Sequence, residues 1–230
     1  MSKLVEQAAR AFLPPGATVL LVCWGLPAVA LAAAVLGSHL TDRPISEFTR
    51  DIAAVAHLPP WIGMISNIGV LLWCASATVP LAVALLGLHQ GRRGPAIRFL
   101  LMLGLLSSAL MLDDLFMLHE FVLPRFFNAS ERVLFAVYGV LLFLIVVRFR
   151  RLYPDTSAFF LLTALVCFAL SLSIDFLPEA SPWHSYLLED GFKLLGTANW
   201  LAFSLQASLP LVILAEPGDV QPRRTTGRSG

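Results

Sequence analysis

Long apolar runs alternate with short polar segments along almost the whole chain. Six of these runs have about the length that a helix needs to cross a hydrocarbon core roughly 30 Å thick. They predict spans at about residues 18–37, 61–88, 97–120, 132–149, 158–177 and 187–214. The pattern therefore predicts an all-α, polytopic membrane protein, with a six-transmembrane-helix bundle in residues 1–215 and a disordered cytoplasmic tail over residues 216–230.

Composition agrees with a membrane protein, since 57% of the residues are hydrophobic and 13% are charged. The first run follows Lys3 and Arg10 and imitates a secretory signal peptide. Its apolar length exceeds that of a usual signal peptide, so we expect an uncleaved helix. The three cysteines lie inside apolar runs without CxxC spacing, so we expect neither a disulfide framework nor a zinc knuckle.

Basic residues are divided unequally between the two sides of the predicted bundle. With six spans, the side of the termini holds eleven of the 16 basic residues but four of the 15 acidic ones. Lysine and arginine in short loops favour the cytoplasmic side, so we expect both termini in the cytoplasm. Arginine outnumbers lysine fourteen to two, which is typical of a GC-rich bacterial genome, so we expect the predicted spans to lie in a bacterial inner membrane. No basic patch with interleaved aromatic residues indicates a nucleic-acid partner.

Charged residues interrupt one of the predicted spans. The stretch LMLDDLFMLHE, residues 110–120, ends the third span, while the fifth ends with SLSIDFLPE and the sixth begins with HSYLLEDGFKLLG. Six-span topology places these three ends together on the outer, periplasmic side. They carry seven acidic residues, which are Asp113, Asp114, Glu120, Asp175, Glu179, Glu189 and Asp190. The sequence therefore predicts an acidic site at the outer third of the bundle.

Asp113, Asp114 and Lys193 are the candidate catalytic residues. A rise of about 1.5 Å per residue places both aspartates one to two turns inside the hydrocarbon region, and Lys193 about one turn inside it. Because a charge there costs roughly 2.5 to 3.5 kcal/mol, we expect Lys193 to pair with Asp113 or Asp114. The same pair could hold the helices in register without performing any chemistry.

Helical projection at about 100° per residue predicts which side chains share a face. On the third span, Asp113 and Glu120 share a face, and His119 points more nearly away from it. A polar stripe on the second span is also expected to face the bundle interior, and it consists of Asn67, Cys74 and Thr78.

The first functional hypothesis is a divalent metal ion, because it would neutralise several of the surplus carboxylates. Imidazole and carboxylate ligands suit Zn, Mn or Fe. A metal-bound water could then attack a lipid ester or amide that enters from the outer leaflet. The candidate ligands are Asp114, His119, Glu120, Asp175, His184, Glu189 and Asp190. None of them shows the spacing of HExxH or of a di-iron ExxH motif.

Two segments, ISNIG at residues 65–69 and SSALMLDDL at residues 107–115, resemble segments of the CREST membrane hydrolases, which include the alkaline ceramidases. The resemblance implies a multi-helix hydrolase with an intramembrane Zn²⁺ held by histidines near Ser and Asp. The chain lacks that family's serine followed by a histidine four residues later, and it lacks the C-terminal HxxxH. The resemblance covers about two dozen residues.

Two other functions compete with metal-dependent hydrolysis. Carboxylates beside a lysine inside a membrane suit a proton- or cation-coupled transporter. Against this, the inner half of the predicted bundle has no titratable group, and the sequence has no inverted repeat. A non-catalytic accessory subunit of a membrane complex is the other alternative. The expected partners are accordingly the lipid bilayer together with a lipid substrate or a membrane protein.

Overall fold

A computed structural model of the chain describes residues 17–128, 130–152, 155–175 and 182–213. All regular elements within these ranges are helices, which confirms the all-α prediction for them. The six long helices are α1 (Ala17–Thr41), α2 (Met64–His89), α3 (Pro95–Phe116), α4 (Glu131–Phe149), α5 (Asp155–Asp175) and α6 (Pro182–Ile213). Shorter helical segments cover Ser46–Thr49, Ile52–Val55, Leu118–Val122 and Leu123–Phe127. The predicted tail over 216–230 lies outside the described residues.

Five of the long helices are long and apolar enough to cross a membrane. These segments are Cys23–Thr41, Met64–His89, Pro95–Phe116, Glu131–Phe149 and Ser157–Asp175. Helix α6 is not among them, and its first half carries Glu189, Asp190 and Lys193. The helices α1 to α5 therefore identify a polytopic membrane protein.

The chain divides into two compact units, Met1–Ile62 and Gly63–Gly230. In the first unit, α1 packs against the short helix Ser46–Thr49, with the ring of Phe48 against Gly37. A Cβ atom at Gly37 would lie 2.8 Å from Phe48 Cε1, so a larger residue there would push the ring away. The second unit contains the helices that form the candidate site.

In the second unit, helix α6 packs along both α5 and α2. Helix α2 also packs along α3, and α4 packs against α3. Glycines permit the close approaches: a Cβ atom at Gly104 would lie 3.1 Å from the backbone nitrogen of Leu81, and one at Gly196 would lie 2.6 Å from the Phe168 ring. The buried core includes Trp73, Phe99, Leu100, Leu103, Trp200 and Phe203.

The prediction that the polar stripe of α2 faces the bundle interior is wrong. Asn67, Cys74 and Thr78 are exposed on the outside of the second unit. Thr78 Oγ1 donates to the Cys74 carbonyl at 2.8 Å, so this hydroxyl is satisfied within its own helix and needs no partner from another one. The buried face of α2 instead consists of Gly69, Trp73, Ser76, Ala77, Pro80, Ala84 and Gly87.

Two predicted helix boundaries differ from those in the structure for local backbone reasons. The second span begins at Met64 and not at residue 61, because Gly63 adopts a left-handed conformation with φ of 71°. The third ends at Phe116 and not at Glu120, because Met117 is left-handed with φ of 49°. A π-helical turn, Leu118–Val122, follows Met117. The helix break at Met117 changes the direction of the side chains that follow it.

Candidate functional site

A cavity of about 490 Å³, called here the main cavity, lies among α3, α4, α5 and α6. Its polar part is at the end of the bundle where α3 and α5 finish and α6 begins. Seven of the predicted site residues line this part, which are Asp113, Asp114, His119, Glu120, Asp175, Glu189 and Lys193. The predicted convergence of three distant helix ends is therefore seen in the structure.

Asp113 binds His119 with both of its carboxylate oxygens. The Asp113 side chain lies at the inner wall of the cavity, and the residue is 4% exposed. Its Oδ1 accepts from the backbone N–H of His119 at 3.0 Å, and its Oδ2 lies 2.7 Å from His119 Nδ1. The prediction that His119 points away from Asp113 is wrong, because the left-handed Met117 turns the chain back over the end of α3.

His119 is held between two carboxylates. Its Nε2 lies 3.4 Å from Glu120 Oε1, while the Phe135 ring packs against the imidazole with 4.9 Å between ring centroids. Burial opposes protonation of His119, but the hydrogen bonds and charges of Asp113 and Glu120 outweigh burial and raise its pKa to about 9. The hydrogen bond with His119 in turn lowers the pKa of Glu120. The two carboxylates therefore favour the protonated imidazolium, in which both ring nitrogens are donors.

Lys193 pairs with Asp114, which is one of the two partners that the sequence predicts for it. Lys193 Nζ donates to Asp114 Oδ1 at 2.5 Å, across the contact between α6 and α3. The Asp114 side chain is 10% exposed and that of Lys193 is 37% exposed. Lys193 is therefore the more exposed partner of the pair, and Asp114 is the more buried one.

A second, smaller cavity of about 20 Å³ lies next to this ion pair. Asp114 and Lys193 line both cavities, so the ion pair borders each of them. The remaining polar residues of the small cavity are Ser66, Asp190 and Thr197. Asp190 thus lines the small cavity, and the structure does not place it in the lining of the main one.

The predicted metal ligands are near one another but do not form a compact set. Within the described part of the chain, no three His, Cys, Asp or Glu residues are arranged so that they could hold a metal ion. His184 belongs to the first turn of α6, and its side chain lies outside the described residues. The metal set stays a prediction, and the contacts that the structure does show are the Asp113–His119–Glu120 cluster and the Asp114–Lys193 pair.

Sequence reasoning missed the contribution of α4 to the cavity wall. Glu131, Phe135, Tyr138 and Gly139 line the cavity from this helix. The sequence of α4 is almost uniformly apolar, so no periodic pattern marked one of its faces. Phe135 and Tyr138 were detectable only as aromatic residues three positions apart, a spacing that places them on one side of a helix.

The apolar part of the cavity ends at an aromatic cluster. Trp73 stacks on Phe168 with ring centroids 5.6 Å apart, and it also contacts Trp200 at 6.0 Å. Trp200 Nε1 donates to Ser107 Oγ at 2.9 Å, which fixes the indole against α3. Since all three aromatic residues line the cavity, it has a charged end and an aromatic end.

The ionisation of His119 predicts how stability depends on pH. A pKa raised from 6.5 to about 9 stabilises the fold fully below pH 6.5, and this contribution is lost as the pH rises through about 9. The lowered pKa of Glu120 adds stability above its ordinary value of 4.5, which is lost as the pH falls. We expect the Tm in detergent to be highest between these limits. In His119→Gln the alkaline decrease should shrink, and an unchanged decrease would contradict the assignment.

The helices and the cavity together define a polytopic all-α membrane protein with a charged cavity at one end of its bundle. The family model described as Domain of unknown function (DUF8692) matches residues 24–207. The chain therefore belongs to this family. No curated protein and no solved structure matches the chain.

Proposed function

We propose that this chain is a six-span bacterial inner-membrane protein that binds a lipid-like amphiphile in the main cavity. The proposed sixth span is α6, because it packs between α2 and α5, two helices that are themselves apolar enough to span. Its charged residues line the two cavities, so their cost in the membrane is reduced.

The proposed orientation has both termini in the cytoplasm and the cavity on the periplasmic side. Arg92, in the basic loop between α2 and α3, donates from Nη1 to the Leu211 carbonyl at 3.3 Å. This contact places the basic loop beside the last turn of α6, whereas Glu189 and Lys193 line the cavity near its beginning. The positive-inside rule then favours a periplasmic cavity.

The observation that supports an amphiphile is the division of one cavity into a charged end and an aromatic end. A volume of about 490 Å³ falls within the range of small-molecule sites. Six carboxylates, Lys193 and His119 surround the charged end, while Trp73, Phe168 and Trp200 close the other. A polar head group with an acyl chain matches both ends, whereas an ion or a small sugar matches one.

Acid–base chemistry on a lipid ester or amide is a second candidate, and the Asp113–His119 arrangement favours it. A buried carboxylate fixes the imidazole through Nδ1, and Nε2 lies beside Glu120 at the cavity lining. A protonated imidazole held in this way can donate a proton to a leaving oxygen or nitrogen. Binding of Zn, Mn or Fe, cation-coupled transport and an accessory role stay predictions.

The cavity can be blocked at Gly139 to test the proposal. Gly139 lines the cavity, and a Cβ atom there meets nothing within 4 Å. Gly139→Phe should therefore fill the binding space without disturbing the ionic contacts. We expect it to weaken amphiphile binding by at least about tenfold, which corresponds to about 1.4 kcal/mol.

Quenching of cavity tryptophans by a brominated monoacylglycerol measures this binding. Trp73 and Trp200 are 5% and 1% exposed, so bulk lipid does not reach them. The other three tryptophans are replaced by Phe to isolate their signal, at Trp24, Trp61 and Trp183. The matched control is Val140→Phe, because Val140 is the next residue, is 58% exposed and does not line the cavity. Equal quenching in both variants would refute the proposed binding site.

A further inference from the structure

Lys193 has more hydrogen-bond donors than the described protein groups use. An ammonium carries three N–H donors and no acceptor. One of them goes to Asp114, and Nζ makes no other hydrogen bond with the described residues. A partly buried ammonium is costly unless its donors are satisfied. The two remaining N–H donors of Lys193 therefore indicate that an acceptor lies in each of the two cavities that this residue lines.

On one side, the small cavity has the size and polarity of a site for a single water molecule. Its volume of about 20 Å³ exceeds the roughly 10 to 15 Å³ that one water needs. Ser66, Asp190 and Thr197 surround it together with the ion pair. Thr197 Oγ1 already donates to the Lys193 carbonyl at 2.9 Å, so its lone pairs are available to accept. A water there can accept from Lys193 and donate to Asp190.

On the other side, Lys193 faces the main cavity, where the ligand's head group would lie. The partner of an N–H donor must be an acceptor, such as a carbonyl, hydroxyl or phosphate oxygen. The six carboxylates of the cavity outnumber Lys193 and His119, and His119 is already held by Asp113 and Glu120. A phosphate would therefore be repelled by the surrounding charge. An uncharged oxygen fits the donor without this cost.

We infer that Lys193 donates one hydrogen bond to a water in the small cavity and another to an uncharged carbonyl oxygen of the bound amphiphile. This inference rests on the proposed function and defines its ligand class as lipids with an uncharged ester or amide head group. Asp114 holds the Lys193 ammonium in place between the two cavities.

Three probes with the same brominated chain test the ligand class in the protein that retains only Trp73 and Trp200. They are a monoacylglycerol, its ether analogue, which lacks the carbonyl, and a lysophosphatidate, which adds a phosphate. We expect the ester to bind at least about tenfold more tightly than the ether, as a hydrogen bond from a charged donor supports. We expect the lysophosphatidate to bind more weakly than the monoacylglycerol. Equal binding of ester and ether, or tighter binding of the phosphate, would overturn the inference.

A double variant tests whether Lys193 is the source of the preference. Lys193→Met with Asp114→Leu removes the donor without leaving a buried carboxylate alone. The ester-to-ether affinity ratio should fall to about one, and a ratio like that of the wild type would assign the preference to another group. The wild-type comparison decides the ligand class even if this variant does not fold.

The two proposals fail in different ways. If Gly139→Phe does not weaken binding of either the ester or the ether, the main cavity is not the binding site and the proposed function is wrong. If Gly139→Phe weakens both but the wild type does not distinguish them, the site is correct and the assignment of the Lys193 donor is wrong.

Discussion

Asp113→Asn is expected to lower the pKa of His119 from about 9 to about 6.5 or below. Burial by itself lowers this pKa. The hydrogen bond and charge of Asp113, with a smaller effect from Glu120, outweigh burial and raise the pKa above its ordinary value. An asparagine retains an acceptor for the His119 backbone N–H but has no charge. The imidazolium would then lose its main stabilising partner, and below pH 6.5 the fold should lose about 3 kcal/mol.

The histidine ring signals in an NMR titration measure this shift. The chain has five histidines, so the His119 signal is assigned by its disappearance in His119→Gln. The matched control is Glu131→Gln, which removes another cavity carboxylate that has no part in raising the His119 pKa. We expect the control to leave the titration midpoint near its wild-type value. A midpoint that stays near 9 in Asp113→Asn would show that Asp113 does not hold the proton on His119.

The parts of the site that depend on topology and charge could be predicted from the sequence. Asp114 and Lys193 are 79 residues apart in sequence, yet the sequence predicts that both lie about one turn or more inside an apolar span. The cost of two separated charges in a membrane leaves few other arrangements, and the structure pairs them. The convergence of α3, α5 and α6 followed from counting spans. Neither step required knowledge of how the helices pack.

The predictions failed where local backbone geometry decided the result. His119 was assigned a direction by continuing the third helix through Met117, a residue with no sequence signal for a left-handed conformation. His119 is six positions after Asp113, and a continuous helix would put their side chains on different faces. The turn instead satisfies both oxygens of a buried carboxylate. This cluster was therefore not detectable from helical periodicity.

The polar residues of α2 show a second limit of periodicity in a membrane. A stripe of Asn67, Cys74 and Thr78 was expected to face inward, because polar groups avoid lipid. Hydroxyls and thiols in helices can satisfy themselves at the preceding turn, as Thr78 does, so their positions do not identify a buried face. Small buried residues, such as Ala77 and Gly87, are the better marker, and a Cβ atom at Gly87 would meet the Ile97 side chain of α3.

Removing one partner of the Asp114–Lys193 pair should destabilise the fold strongly, whereas removing both partners should destabilise it only weakly. Lys193→Met leaves the Asp114 carboxylate, which is 10% exposed, without its cation. We expect a loss of about 2 to 4 kcal/mol, below the full value for a buried pair because Lys193 is itself 37% exposed. Unfolding in mixed detergent micelles, followed by circular dichroism, measures this loss.

Two comparisons show whether an effect of Lys193→Met comes from the uncompensated charge of Asp114 or from lost packing. Lys193→Met with Asp114→Leu should recover all but about 1 kcal/mol, since no isolated charge remains. Arg43 and Glu47 form a pair at 3.9 Å with side chains 67% and 39% exposed, so Arg43→Met should cost less than about 1 kcal/mol. If the single and double variants at Lys193 were equally unstable, the lost packing of the lysine side chain would explain the effect. Recovery would instead mean that the pair is dispensable for folding, and that its place between the two cavities needs a functional explanation.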